Sequence, residues 1–236
     1  MNEETNFAER CPTGIQGFDK KCEGGLVRNT VNVILGGPGT GKTTFLLQFL
    51  WNGVNMFNEN GLYLSFEPDI VDIFKDADSF GWDFSGLDSS NMCKFIKFSP
   101  KTSLRDMKIE LTKLVSRYNI KRIAIDPISV LTSINLEKDE HIRDLIFDLT
   151  ALLKRLQVTI LLANETIGKS EEGIPFDSEY TKIQFIEFLA DSLIELYYSG
   201  LGGLTDRALR ITKMRRTEHT RGPIPFKIKK NGFIVS

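Results

Sequence analysis

Residues 36–43 read GGPGTGKT and fit the pattern G-x-x-x-x-G-K-T. Glycines at 36, 37, 39 and 41 let a backbone close around phosphate and turn its N–H groups inward. Lys42 is spaced to neutralise β- and γ-phosphate charge, and the Thr43 hydroxyl to ligate Mg²⁺. A helix beginning here adds the partial positive charge of its N-terminus. Gly37, Pro38, Gly39, Thr40, Gly41, Lys42, Thr43 and Thr44 thus form a candidate loop for a nucleoside triphosphate. The alternative is a chance match, and the context argues against it, because an apolar strand pattern precedes the loop and a helical period follows.

Such a loop needs a carboxylate at a neighbouring strand end to hold Mg²⁺ through its water shell. Asp126 ends the apolar run RIAID. A buried acid there is costly unless coordinated or paired; the other reading is an N-cap. Glu67 follows GLYLSF and could orient the attacking water or take its proton; a solvated loop acid would look similar. Asn164 follows VTILLA. Its amide could sense the γ-phosphate, or equally cap its own backbone.

The elements that must position these residues are legible as alternating patterns. Strand-like runs at 31–35, 61–66, 94–98, 122–126 and 158–163 are separated by helical stretches at 42–57, 69–79, 104–118 and 139–157. Short apolar strands alternating with amphipathic helices predict an α/β fold with a mostly parallel sheet and helices on both faces. From about residue 190 the pattern changes to strand-like runs with Gly-rich turns, which predict antiparallel strands added at one edge. The whole of 1–236 then reads as a single domain, with 192–236 its strand-rich edge. The polar stretch 167–182 has neither period and reads as a mobile loop.

The 236 residues are 41% hydrophobic and carry a net charge of −1, so no global field draws the chain to DNA or membrane. The charge is uneven. From Arg207 onward there are nine Lys or Arg against one acid, Glu218, while the preceding residues are net acidic. That asymmetry fits self-association at least as well as nucleic-acid binding. Three cysteines, at 11, 22 and 93, match no metal spacing. Their sparse use, the lack of a signal peptide pattern and the lack of a long apolar run read as a cytoplasmic protein. Phe45, Phe49, Phe57, Phe66, Phe147 and Phe185 fit core faces by their spacing, and Trp51 and Trp82 read as packing. The cations before Asn231 and Gly232 read as a solvated hairpin edge.

Several segments together resemble the KaiC family of RecA-like ATPases. They are RCPTGIQGFDKKCEGGL (10–26), GGPGTGKT, FEPDIVDIFKDADSFGWD (66–83), IDPISVL (125–131), FIEFLADSLIELYY (185–198) and RALRITKMRRTEH (207–219). The resemblance implies a RecA-like P-loop core, ATP and Mg²⁺, and a ring, commonly a hexamer, with nucleotide between subunits. It assigns Glu67 as the catalytic acid. It implies that Lys213 and Arg215 act on the γ-phosphate of the neighbouring subunit, with His219 close to the same nucleotide. The chain departs from the family at Pro68, where a second glutamate is common, at Pro127 after Asp126, and at Ala163–Thr166 after the sensor strand. Neither clock function nor autophosphorylation is carried over, because no Ser-Thr pair of the required kind stands in 167–190.

Strand alternation adds a reading of KMRRTEHTR (213–221). If 207–216 is extended, Lys213 and Arg215 share one face and Met214 and Arg216 the other. The leading expectation is an oligomeric ATPase whose nucleotide state governs a protein partner. A single-stranded DNA-binding ATPase is the alternative, disfavoured because residues 168–182 carry four acids against two lysines. A nucleotide-dependent interaction module with little hydrolysis is the third reading.

Overall fold

A computed structural model describes residues 8–99, 102–127, 139–165, 188–200 and 206–236, and only the backbone at 104 and 139–146. The expected mobile loop 167–182 and Phe185 lie outside the described residues. In chain order the elements are β1 (Arg10–Cys11), β2 (Leu26–Val27), β3 (Val31–Gly36), α1 (Lys42–Phe57), β4 (Asn60–Ser65), α2 (Ile70–Asp78), α3 (Phe84–Ser89), β5 (Cys93–Lys97), α4 (Leu104–Tyr118), β6 (Ile120–Asp126), α5 (Asp139–Arg155), β7 (Thr159–Glu165), β8 (Ser192–Tyr198), β9 (Arg207–Met214), β10 (Ile224–Lys229) and β11 (Gly232–Val235).

Nine strands form one sheet in the order β11-β10-β9-β8-β3-β7-β6-β4-β5. Strands β8 through β5 in that order are parallel. The edge β9-β10-β11 is antiparallel, as the change of pattern after residue 190 predicts. β1 and β2 pair separately.

Each face of the sheet buries its own apolar layer. Phe45, Leu46 and Phe49 of α1 pack with Ile73 of α2, Phe84 of α3 and the inward residues of β9–β11 on one face. Met107, Leu111 and Leu114 of α4 pack with Leu149 and Leu153 of α5 on the other. Trp82 is buried and Trp51 packs edge-on against Phe84, so both tryptophans are packing residues as expected. Phe147 differs from its expectation. It is 59% exposed on α5, because it falls just off the stripe that Leu149 and Leu153 define. Among the described residues no helix is long and apolar enough to cross a membrane.

Candidate nucleotide site

The candidate residues converge at one end of the sheet, beyond the C-terminal ends of the parallel strands, where α/β folds place ligands. β3 runs to Gly36 and α1 starts at Lys42, so the glycine loop is the whole connection. The turn requires glycine at two points. Gly39 and Gly41 have φ of 71° and 104°, and a Cβ on Gly41 would come within 2.6 Å of Ile228 Cδ1. Lys42 is buried, and its Nζ donates to the carbonyls of Gly36 and Gly37 at 2.8 and 3.0 Å. Burial pulls this ammonium below the usual lysine range, while the nearby charges of Glu165 and Asp126 act to keep it protonated.

Asp126 ends β6 and is 4% exposed. Its Oδ2 accepts from the Thr43 hydroxyl at 2.7 Å and from the Tyr63 hydroxyl at 2.8 Å. Among the described residues the side-chain hydrogen bonds of Asp126 go to these two hydroxyls; the turn that an N-cap would serve lies outside them. Ser65 of β4 is in register with Asp126, so Glu67, two residues further, emerges beside it and is exposed. The Ser65 hydroxyl donates to the Pro68 carbonyl at 2.7 Å and closes the turn that carries Glu67. Asn164 of β7 is in register with Leu35 of β3. It is fully buried, and among the described residues neither its amide nitrogen nor its oxygen has a hydrogen-bond partner. An unpaired buried amide is costly, and among the described residues no bond to the backbone offsets that cost.

Lys213, Arg215 and His219 lie elsewhere. β9 runs antiparallel to β8, with Arg207 opposite Tyr198 and Met214 opposite Ser192. Arg207 is therefore at the glycine-loop end, and Lys213 is six residues, roughly 20 Å, towards the other. There Lys213 Nζ donates to the Phe188 carbonyl at 3.2 Å, and Arg215 Nη1 lies 3.7 Å from Asp191 Oδ1. Burial pulls Lys213 below the usual lysine range, and the Arg215 charge adds to this. His219 follows in the connection to β10, with its Nδ1 3.3 Å from the Thr220 carbonyl. The face assignment needs a correction. The register slips between Leu193 and Ile194, where Leu193 faces Lys213 and Ile194 faces Ile211. Met214 still points into the core and Lys213 and Arg215 away from it, but β9 stops at Met214. Arg216 has a φ of 58° and turns out of the strand instead of sharing the Met214 face.

The family model for the KaiC ATPase matches residues 11–236. The chain belongs to the KaiC family of ATPases. It is 33% identical over 236 residues to the circadian clock oscillator protein KaiC of Prochlorococcus marinus subsp. pastoris, covering 96% of this chain and 45% of that one. It is also 33% identical to KaiC of Nostoc sp. strain PCC 7120, covering 98% of this chain and 45% of that one. The chain thus spans less than half the length of these relatives. The crystal structure of a KaiC-like protein from Pyrococcus horikoshii OT3 superposes with a TM-score of 0.82 at 31% identity, covering 97% of this chain and 99% of that chain.

Three residues of this KaiC-family site are missing from the motif-based reading. Arg207 donates to the carbonyls of Gly39 and Thr40 at 2.8 and 3.1 Å, and its guanidinium lies 4.0 Å from the Tyr198 ring centroid. In the sequence it is one cation in a basic tail, and only the antiparallel return of β9 brings it to the loop. Glu165 acts on Lys42 through its charge. Tyr63 sits mid-strand in an apolar run, where nothing local separates a functional hydroxyl from a core ring.

Proposed function

We propose that the chain binds ATP with Mg²⁺ on the β3–α1 loop and hydrolyses it within a homo-oligomeric ring, a hexamer as the family resemblance implies. The observation that carries this reading is the cluster at the strand ends. Lys42 is folded onto its own loop carbonyls, Thr43 is bonded to Asp126, and Asn164 is buried with both amide atoms unpaired. The same residues fit a nucleotide without rebuilding the fold. Lys42 exchanges two carbonyls for phosphate oxygens and regains favourable charge pairing. Asn164 gains the partner it lacks.

The donor set also fits Mg²⁺, which usually keeps several waters and takes one or two protein oxygens plus phosphate. Thr43 would supply the hydroxyl and Asp126 the carboxylate behind the water shell. When bound, Mg²⁺ would neutralise negative charge on the phosphates. Among the described residues no cluster of three or more His, Cys, Asp or Glu could hold a metal without the nucleotide. Glu67 orients the attacking water and takes its proton. Gly37, Pro38, Gly39, Thr40, Gly41 and Thr44 supply the cradle.

Lys213 and Arg215 act in trans, with His219 beside the neighbour's nucleotide. Their distance from the loop of their own subunit supports this part, since a cation roughly 20 Å down a rigid strand cannot reach its own γ-phosphate. A trans arginine is worth about 10³–10⁵ in rate in other NTPases. Arg215→Ala should therefore keep ATP binding and lose most turnover. Mixing it with Glu67→Gln should restore part of the rate, since some interfaces then pair an intact Glu67 with an intact Arg215. A mixture that exchanges subunits and stays inactive would refute the trans assignment.

A further inference from the structure

We propose that Tyr63 is a positioning residue for Asp126, holding the carboxylate in the orientation that the Mg²⁺ water shell requires. This rests on the reading of Asp126 given above. Tyr63 lies on β4 opposite Ala124 of β6, two residues short of Asp126 on the same face. Its ring is fully buried and stacked on Phe95, with centroids 5.2 Å apart and planes at 16°. A phenylalanine would satisfy every one of those ring contacts. The hydroxyl adds only the 2.8 Å bond to Asp126 Oδ2.

A carboxylate at a strand end has two torsions to fix. Oδ2 is held from two sides, by Thr43 from the start of α1 and by Tyr63 from within the sheet. Of the two, Thr43 belongs to the loop–helix junction that receives the phosphates, and Tyr63 belongs to the core. The phenol is thus the fixed point. With Oδ2 occupied by two hydroxyl donors, Oδ1 is left to accept from water around the ion. Outer partners of this kind typically change metal affinity about 10–100-fold when removed.

The test compares the wild-type 236-residue chain with Tyr63→Phe and Asp126→Asn by titrating Mg²⁺ into protein and a fluorescent ATP analogue, with a Mg²⁺-free arm and a thermal melt of each variant. Tyr63→Phe should bind the analogue like wild type without Mg²⁺, and should need about 10-fold more Mg²⁺ for half-maximal enhancement. A merely structural role would lower the melting temperature and weaken both arms alike, which would overturn the proposal. So would an unshifted Mg²⁺ midpoint in Tyr63→Phe beside a lost response in Asp126→Asn. If Asp126→Asn keeps the wild-type Mg²⁺ response, the reading of Asp126 itself fails, and the role of Tyr63 fails with it.

Discussion

Lys42 holds a positive charge where the empty fold disfavours one. Its folded pKa is lowered, chiefly by burial. For a lysine that sign means the protonated form carries a cost at neutral pH, which begins to fall as pH rises through the folded pKa and is gone above the unfolded one. Removing the charge removes the cost. Lys42→Met is therefore expected to melt no lower than wild type without nucleotide, yet to lose the rise in Tm that ATP·Mg²⁺ gives wild type. A large drop in the nucleotide-free Tm would contradict this. Gly41→Ala works in the opposite sense. The residue would need φ near 104° with its Cβ 2.6 Å from Ile228 Cδ1, so a loss of about 1–3 kcal/mol is expected in urea unfolding. Lys42 and Thr43 are legible in the sequence because motif spacing declares them, and Asp126 because an acid there ends an apolar run. Tyr63 and Arg207 were not, because each acts across a strand pair whose register no local pattern reveals.

The helices were legible where their ends carry chemical signals. α1 and α4 span 42–57 and 104–118 as the periodicity predicts, and each stops at an asparagine in the left-handed region, Asn58 and Asn119. Ser103 caps α4 by accepting from the Asp106 N–H. α3 was missed because six residues with two buried positions, Phe84 and Leu87, are too few to show a period. The strand order was equally out of reach, since it depends on which edges meet. At this scale β9 is the element to probe. Arg207 braces the glycine loop with two hydrogen bonds while stacked on Tyr198, and a lysine offers neither the planar fork nor the stack. Arg207→Lys is expected to weaken ATP binding nearly as much as Arg207→Ala, about 10-fold if each of the two lost hydrogen bonds costs about 0.7 kcal/mol, as read by equilibrium titration. Full rescue by lysine would show that charge alone matters. At the other end, Asp191 accepts from the Val31 N–H at 3.1 Å, pairs with Lys154 at 2.7 Å and lies beside Arg215. Asp191→Asn should lower turnover while leaving ATP affinity unchanged, measured as kcat against the binding midpoint.

For the molecule as a whole, the largest stake in stability lies away from the nucleotide. Arg122 is fully buried, with its guanidinium 4.7 Å from the Phe49 ring centroid and 5.0 Å from that of Phe57. Glu59 holds both Arg122 and Arg28 at 2.6 Å. Burial acts to raise the Glu59 pKa, and the two arginines outweigh it and hold the carboxyl below its ordinary 4.5. Its contribution is thus present above that value and lost as pH falls through the lower folded pKa. Glu59→Ala leaves a buried charge unpaired and should cost about 3–5 kcal/mol at neutral pH, with a smaller difference from wild type in acid, both read from urea midpoints. None of this network was legible, since its members stand 31 to 63 positions apart in the chain. The antiparallel return of β9 has a consequence at this scale as well. One short strand braces the loop of its own subunit at Arg207 and, in the proposed ring, presents Lys213 and Arg215 to the next. In that ring it would tie one nucleotide site to the next. Thr212 is the residue left over at the register slip, so deleting it should regularise the ladder and alter how the Lys213 end is presented, while leaving the glycine loop intact. In the proposed ring that deletion should lower turnover and leave ATP affinity unchanged, read as kcat against the binding midpoint.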